Sequence, residues 1–192
     1  MKPKILCIIG LLFLTLSQLL LAQGFDFLQA QQPIDFAHWF MLIGAILLLS
    51  FNYVFPKSIF NSIAIVLTSL GVIAHIGMCP IDIALWSFGE DAGKRNELIG
   101  HLINTPSIWY PFFVIGPSLL YIGLSIHAWK FIASHPISAI LAIGGSALIG
   151  AGQFMGLDRR IVVLGCILFA IGLLLLVYRD EIYQNKRSLS TL

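Results

Sequence analysis

Three pairs of a histidine and a carboxylate occur between residues 35 and 101, and two of them have the three- or four-residue spacing that places both side chains on one face of a helix. The pairs are Asp35 with His38, His75 with Asp82, and Glu97 with His101. His75 is unusual because it lies inside an apolar run, where an ionisable side chain is costly and often has a function. In an enzyme, one histidine would act as general base or metal ligand, and a carboxylate would orient it. The candidate catalytic residues are His75, His101, Asp82 and Glu97.

The same histidines also predict a divalent metal site in which His38, His75 and His101 supply the ligand nitrogens. Imidazole and carboxylate ligands suit zinc or iron, and a catalytic zinc leaves one position open for water. A b-type haem is a competing hypothesis that would need His75 and His101 to face each other. The alternative is that polar side chains simply collect where helices leave a membrane. Whether His75 faces the other helices or the lipid decides between these hypotheses.

The composition indicates a membrane protein. Hydrophobic residues make up 58% of the 192 residues and charged residues only 10%, whereas a soluble domain carries about 25% charged residues. Apolar runs of roughly 17–25 residues cross ~30 Å of hydrocarbon as helices, which satisfy their own backbone polar groups. Six such runs occur, at 5–22, 36–55, 59–78, 107–129, 137–156 and 161–178. The sequence therefore predicts a single all-α transmembrane helix bundle over residues 1–192.

The first run has a second interpretation. Lys2 and Lys4, the apolar centre and Ala22 near its end are also typical of a secretory signal peptide. The run is long for such a signal and lacks an A-x-A cleavage site. We therefore expect six spans, with five as the alternative if the first run is cleaved.

The basic residues predict the orientation, because short cytoplasmic loops are enriched in Lys and Arg. With six spans and the N-terminus inside, seven basic residues lie on the cytoplasmic side, namely Lys2, Lys4, Lys57, Lys130, Arg179, Lys186 and Arg187. Four lie outside, namely Lys94, Arg95, Arg159 and Arg160. We expect a multi-pass protein of the cell (inner) membrane with both termini in the cytoplasm. The tail 179–192 would then be cytoplasmic, and the loop 79–105 would lie outside.

The long loop and the fourth run are the two unusual segments. The loop has 27 residues, and loops of that length in compact domains are often functional. Its first half, "IDIALWSFGE", is predicted as a short interfacial helix, and its second half as a helix leading into the fourth run. Within that run, Pro111 and Pro117 each remove a backbone hydrogen bond and predict a kink. A pocket or gate beside the kink and plain shaping of the helix are the alternatives.

A short turn with the sequence "GLDRR" precedes the sixth run. Arg159 and Arg160 could bind an anionic lipid head group, since guanidinium groups match phosphate oxygens. The alternative is a tight turn that carries surface charges. The formal net charge of only +2 gives no indication of nucleic-acid binding.

These features resemble a group of uncharacterised six-span microbial membrane proteins, defined only as a domain of unknown function. The matching residues are Gly77, Pro80 and Asp82 at the end of the third run, His101 before the fourth, and Gly156, Leu157 and Arg160 before the sixth. The chain departs from the pattern in having Met78 and Cys79 before the proline and a long gap between Asp82 and His101. The resemblance implies a membrane fold and no particular activity.

The sequence thus predicts an integral membrane protein with a polar pocket that opens outward between spans 2, 3 and 4. Such a pocket would bind or act on a membrane lipid or another amphiphile, and whether it is an enzyme stays open. One alternative is a small transporter or channel-like protein gated at the kinked fourth span. Another is an accessory subunit that packs against a partner membrane protein.

Overall fold

The structure, a computed structural model, describes residues 2–56 and 58–189, with side chains described as far as Tyr178. The described residues form helices and no strand. The helices are α1 (Pro3–Leu21), α2 (Phe25–Gln29), α3 (Phe36–Leu48), α4 (Phe51–Val54), α5 (Ile59–Ser87), α6 (Ala92–Ile103), α7 (Pro106–Trp109), a π-helical turn (Tyr110–Val114), α8 (Gly116–Trp129), α9 (Pro136–Phe154) and α10 (Arg159–Leu189). Met1, Lys57, residues 190–192 and the side chains of the predicted tail after Tyr178 lie outside the described part.

Six helical segments in the described part are long and apolar enough to cross a membrane, which confirms the all-α bundle and its six predicted spans. They are span 1 (Pro3–Leu21), span 2 (Phe36–Val54), span 3 (Ile59–Ser87), span 4 (Pro106–Trp129), span 5 (Pro136–Phe154) and span 6 (Arg159–Tyr178). The first run is packed into the bundle, since Cys7, Leu11 and Leu14 are fully buried.

The spans form a closed ring in chain order. Span 1 packs against span 2, each later span packs against the next, and span 6 returns to span 1. The closest pairs are α1 with α3, α5 with α8, and α9 with α10. Inside the ring, the Tyr121 and Phe169 rings meet edge to face with their centroids 5.6 Å apart. Short connections join spans 2 and 3, spans 4 and 5, and spans 5 and 6, and they make those spans antiparallel neighbours.

Small residues bring the paired helices together. Gly71 of α5 lies against the backbone of Leu120 in α8, and Gly145 of α9 lies against Phe169 in α10. A Cβ atom at either glycine would overlap the backbone of the facing helix. Small residues let membrane helices approach closely and gain van der Waals contacts. Gly145 and Gly152 of α9 thus lie on the surface that packs against α10, whereas nothing lies within 4 Å of a Cβ atom at Gly144 or Gly150.

The third span differs from its predicted bounds. We expected it to end at residue 78, but α5 continues through Cys79 and Pro80 to Ser87. A proline inside a helix removes one hydrogen bond, and neighbouring membrane helices tolerate that loss. Residues 81–87 of the segment "IDIALWSFGE" therefore extend the span and do not form a separate interfacial helix. The chain turns at Gly89, whose φ is 58°.

The second half of the predicted loop is helical, as expected. Helix α6 begins after Asp91, whose side chain accepts a hydrogen bond from the backbone N–H of Lys94. This bond, together with the side chain of Lys94, lowers the pKa of the exposed Asp91 carboxyl. Asp91 is thus an N-cap that stays ionised over the physiological pH range.

Side-chain hydrogen bonds hold α2 against the far end of α5. Trp86 donates from Nε1 to the Leu28 carbonyl at 3.0 Å, and Gln29 donates from Nε2 to the Trp86 carbonyl at 3.1 Å. The Arg95 guanidinium lies 4.4 Å from the centroid of the Phe25 ring. These contacts order the connecting segments at the end of the bundle where α1, α5 and α9 finish, which we call the cavity end.

The opposite end of the bundle is closely packed. His127 is buried and donates from Nε2 to Asn52 Oδ1 at 3.1 Å. The Phe55 ring lies 5.4 Å from the His127 ring and 5.2 Å from the Phe131 ring, measured between centroids. A buried histidine that bonds to a neighbouring side chain in this way has a structural role.

Replacement of Gly71 by alanine tests the close packing. Gly71→Ala should lower the free energy of unfolding by about 1–3 kcal/mol, because overpacking forces the two backbones apart. Gly144→Ala is the matched control, since nothing lies within 4 Å of a Cβ at that position. Reversible unfolding of both variants in detergent micelles measures the difference. Equal stabilities would contradict the packing described here.

Candidate functional site

A cavity of about 490 Å³ lies at the cavity end, and all six spans contribute to its wall. We expected a pocket between spans 2, 3 and 4. In the structure, residues of spans 1, 5 and 6 also line the cavity. The wall is formed by Gln18, Leu21, His38, Met41, His75, Met78, Asp82, Phe113, Pro117, Tyr121, Gly152, Gln153, Gly156, Leu157, Arg159 and Val162. The cavity lies beside the irregular part of span 4, because Pro117 and Phe113 line it. A pocket beside the kink was one of the two alternatives that the sequence left open.

Asp35 orients His38 at the start of α3. Its side chain is fully buried, caps the helix by accepting the backbone N–H of His38, and lies 2.5 Å from His38 Nδ1. A carboxylate accepts hydrogen bonds, so Nδ1 is the donor and carries the hydrogen. In the neutral imidazole, Nε2 is then an acceptor. The pairing predicted from the three-residue spacing of Asp35 and His38 is therefore present, and it fixes the tautomer.

The free nitrogen of His38 faces a second carboxyl group. His38 Nε2 lies 3.6 Å from Asp82 Oδ2 on α5. That distance permits an ion pair when the imidazole is protonated, but it is too long for a hydrogen bond. Asp35, His38 and Asp82 thus form a chain of polar groups that joins spans 2 and 3 at the cavity. The sequence alone did not predict that His38 would be the histidine beside Asp82.

His75 faces the other helices. It is 1% exposed, and its Nδ1 donates to the Gly71 carbonyl at 2.8 Å. The Tyr121 ring lies edge-on to the imidazole, with the centroids 6.1 Å apart. Because a carbonyl only accepts, Nε2 of the neutral His75 ring is an acceptor. His75 therefore supplies an acceptor to the cavity wall, about two helical turns from Asp82 on the same helix.

The other predicted histidine–carboxylate pair does not reach the cavity. Glu97 and His101 lie on α6 and line a separate depression with Lys94. The predicted centre of His38, His75 and His101 is therefore not formed. Within the described part of the chain, no group of three or more His, Cys, Asp or Glu residues is placed to hold a metal ion.

The continuation of α5 explains this correction. The helix runs about two turns beyond its expected end, from residue 78 to Ser87, and α6 follows only after the turn at Gly89. His101 thus belongs to a different surface from His75, and the two histidines cannot serve as facing haem ligands. His75 and Asp82 remain as candidate site residues, whereas His101 and Glu97 do not share their surroundings.

The two arginines of the "GLDRR" turn lie in different surroundings. Arg159 is the first residue of α10 and lines the cavity. Arg160 lies outside the cavity wall, and its backbone N–H donates to Asp158 Oδ1 at 2.8 Å. Only Arg159 is therefore placed to meet a ligand in the cavity.

Two cavity residues were missed by the sequence analysis. Gln18 is 2% exposed and Gln153 lies near the end of α9, and both line the cavity. A glutamine inside the first apolar run was the available signal, because a polar side chain in a membrane helix usually faces the bundle interior.

No family model, no curated protein and no solved structure matches this chain. The resemblance to the uncharacterised six-span membrane proteins therefore stays a prediction. The function has to be inferred from the cavity and its residues.

Two replacements of Asp35 test its double role. Asp35→Ala removes both the helix cap and the partner of His38, so the free energy of unfolding should fall by about 1–2 kcal/mol, near the upper end for a cap. Asp35→Asn keeps an acceptor oxygen and should cost less. Asp91→Ala is the control, because that cap belongs to the exposed helix α6. Chemical unfolding in micelles measures all three, and equal losses for Asp35→Ala and Asp91→Ala would contradict this role.

Proposed function

We propose that this multi-pass membrane protein binds an amphiphile in the cavity. Polar side chains of the wall, chiefly His38, Asp82 and Arg159, would hold the polar head group. Apolar side chains of the wall, such as Met41 and Phe113, would contact the part of the ligand next to the head group. The observation that carries this proposal is the convergence of charged side chains from three spans on one cavity.

The energetic cost of placing charged groups inside the bundle supports the proposal that the cavity binds a ligand. Charged and ionisable groups inside a membrane bundle are expensive and usually serve a function. Asp82 and His38 lie only partly exposed, at 24% and 12% for their side chains, and they do not hydrogen-bond to each other. The cavity volume of about 490 Å³ lies in the range of roughly 300–1,000 Å³ that is typical of small-molecule sites.

Chemical turnover of the bound amphiphile is a second candidate function. The Asp35–His38 pair favours it, because a buried carboxylate that orients an imidazole is the arrangement of a general base. His38 Nε2 would accept a proton from a water molecule or a ligand hydroxyl in the cavity. His38 thereby takes the role that the sequence analysis assigned to His75 or His101.

Mass spectrometry of the purified protein tests the binding proposal. We expect an amphiphile to co-purify with the wild-type chain, and occupancy to fall about tenfold in Asp82→Asn, since hydrogen bonds to charged groups contribute about 1.5–3 kcal/mol. His38→Ala should also lower occupancy. His101→Ala is the matched control because His101 lies on another surface. Turnover would appear in the same spectra as a cleaved form of the ligand.

Two results would contradict the binding proposal. The first is wild-type protein without any bound amphiphile after extraction in a mild detergent. The second is equal occupancy in His38→Ala, Asp82→Asn and His101→Ala. The midpoint of thermal unfolding of each variant shows whether a loss of ligand reflects a loss of structure.

We further propose that the protein lies in the cell (inner) membrane with both termini in the cytoplasm. The excess of basic residues on that side supports this orientation. The cavity end would then face outward, and α6 would lie at the outer surface. A ligand would enter from the outer leaflet or from the space outside the membrane.

Cysteine labelling tests the orientation. The native cysteines Cys7, Cys79 and Cys166 are buried, so they should give little background. Glu90→Cys, in the turn before α6, should react with a membrane-impermeant maleimide in intact cells. Lys130→Cys, after α8 at the opposite end, should react only after the membrane is opened. The reverse pattern would overturn the proposed orientation.

A further inference from the structure

We propose that the head group bound in the cavity is a zwitterion that carries an ammonium group with N–H donors and a phosphate group. This inference rests on the proposed binding function and names its ligand class. It comes from two features of the cavity wall, a pair of facing acceptors on α3 and α5 and an arginine on α10.

The facing acceptors are His38 Nε2 and Asp82 Oδ2. Asp35 holds the hydrogen of His38 on Nδ1, so Nε2 of the neutral ring accepts, and the Asp82 carboxylate also accepts. The two atoms lie 3.6 Å apart, which is too long for a hydrogen bond between them. Two acceptors at that separation can both receive hydrogen bonds of about 2.8–2.9 Å from one nitrogen. A group with at least two N–H bonds and a positive charge fits this position.

A quaternary ammonium does not meet the same requirement. Its nitrogen carries only carbon substituents, so it has no N–H to donate to His38 or Asp82. It could bind through aromatic faces, but the aromatic rings in the wall, Phe113 and Tyr121, come from one span. The donor requirement therefore separates an ethanolamine head group from a choline head group of equal charge.

Arg159 supplies the opposite charge. Arg159 lines the cavity, and among the described residues its guanidinium forms no ion pair with a carboxylate. An unpaired guanidinium is a strong partner for phosphate. A cavity that presents separate positive and negative groups matches a ligand that carries both charges.

Other head groups would pair with only some of the polar groups in the cavity wall. An anionic head group without nitrogen could pair with Arg159, but it would bring its charge near Asp82 and leave the acceptor pair without a charged donor. Asp35 cannot replace Asp82, because its side chain is fully buried and does not line the cavity. The ethanolamine phosphate group meets both requirements, whether it belongs to a phospholipid or to a free molecule.

Titration with defined lipids tests the inference. The full-length protein in detergent is titrated with phospholipids of identical acyl chains that carry ethanolamine, choline or glycerol head groups, and bound lipid is counted by native mass spectrometry. We expect the ethanolamine lipid to bind about tenfold more tightly than the choline lipid, the effect of losing one hydrogen bond to a charged group. Free phosphoethanolamine is added as a competitor to distinguish a soluble ligand from a lipid.

Variants of Asp82 and Arg159 test which residue holds the ammonium group and which holds the phosphate group. Asp82→Asn should reduce the preference for ethanolamine over choline, because His38 Nε2 and the amide oxygen remain as neutral acceptors, while glycerol lipid stays bound through Arg159. Arg159→Gln should weaken all three phospholipids. Arg160→Gln is the control, because this neighbouring arginine lies outside the cavity wall. Unchanged unfolding midpoints would show that the variants fold normally.

The outcomes separate the two proposals. If the wild-type chain binds no amphiphile, the proposed binding function fails. If it binds choline or glycerol lipids as tightly as ethanolamine lipid, the binding function stands and the zwitterion inference is overturned. Displacement of the lipid by free phosphoethanolamine at a similar concentration would support the same chemistry from a soluble source. An ethanolamine preference in Asp82→Asn that equals the wild-type preference would also overturn the inference.

Discussion

Hydrocarbon offers no hydrogen-bond partner to a peptide group, and this constraint governs the whole structure. Each apolar run must satisfy its N–H and C=O groups internally, so it becomes a helix. Association of the helices then depends on van der Waals contact, because lipid tails are as apolar as the side chains. Glycines such as Gly71 and Gly145 sit where two helices approach most closely. The closed ring of spans follows from these contacts and from the short connections.

The cavity is the part of the ring where this close apolar packing is interrupted. Its wall brings Asp82, His38 and Arg159 to one end of the bundle, whereas the opposite end is closed by His127 and its aromatic neighbours. The buried Asp35 carboxylate connects the fold to the site, since it caps α3 and orients His38 at the same time. A change at Asp35 therefore acts on both the start of span 2 and the cavity.

Much of the fold could be predicted from hydropathy alone. Run length and composition identified the six spans, and the three-residue spacing identified the Asp35–His38 pair. The end of span 3 could not be predicted, because Cys79 and Pro80 look like the end of a helix. In the structure the helix continues, since neighbouring spans tolerate the bond lost at Pro80. That single difference removed His101 from the site and with it the three-histidine metal centre.

The sequence by itself determined the class of fold, the number of spans and the presence of ionisable groups near one end, because these depend on local composition and on helical periodicity. Only the tertiary structure decided which of those groups meet. The His38–Asp82 contact and the place of Arg159 join helices that are far apart in the chain, and their geometry depends on how the ring closes. Helical spacing relates residues within one helix, but it carries no information about the rotation of one helix against another.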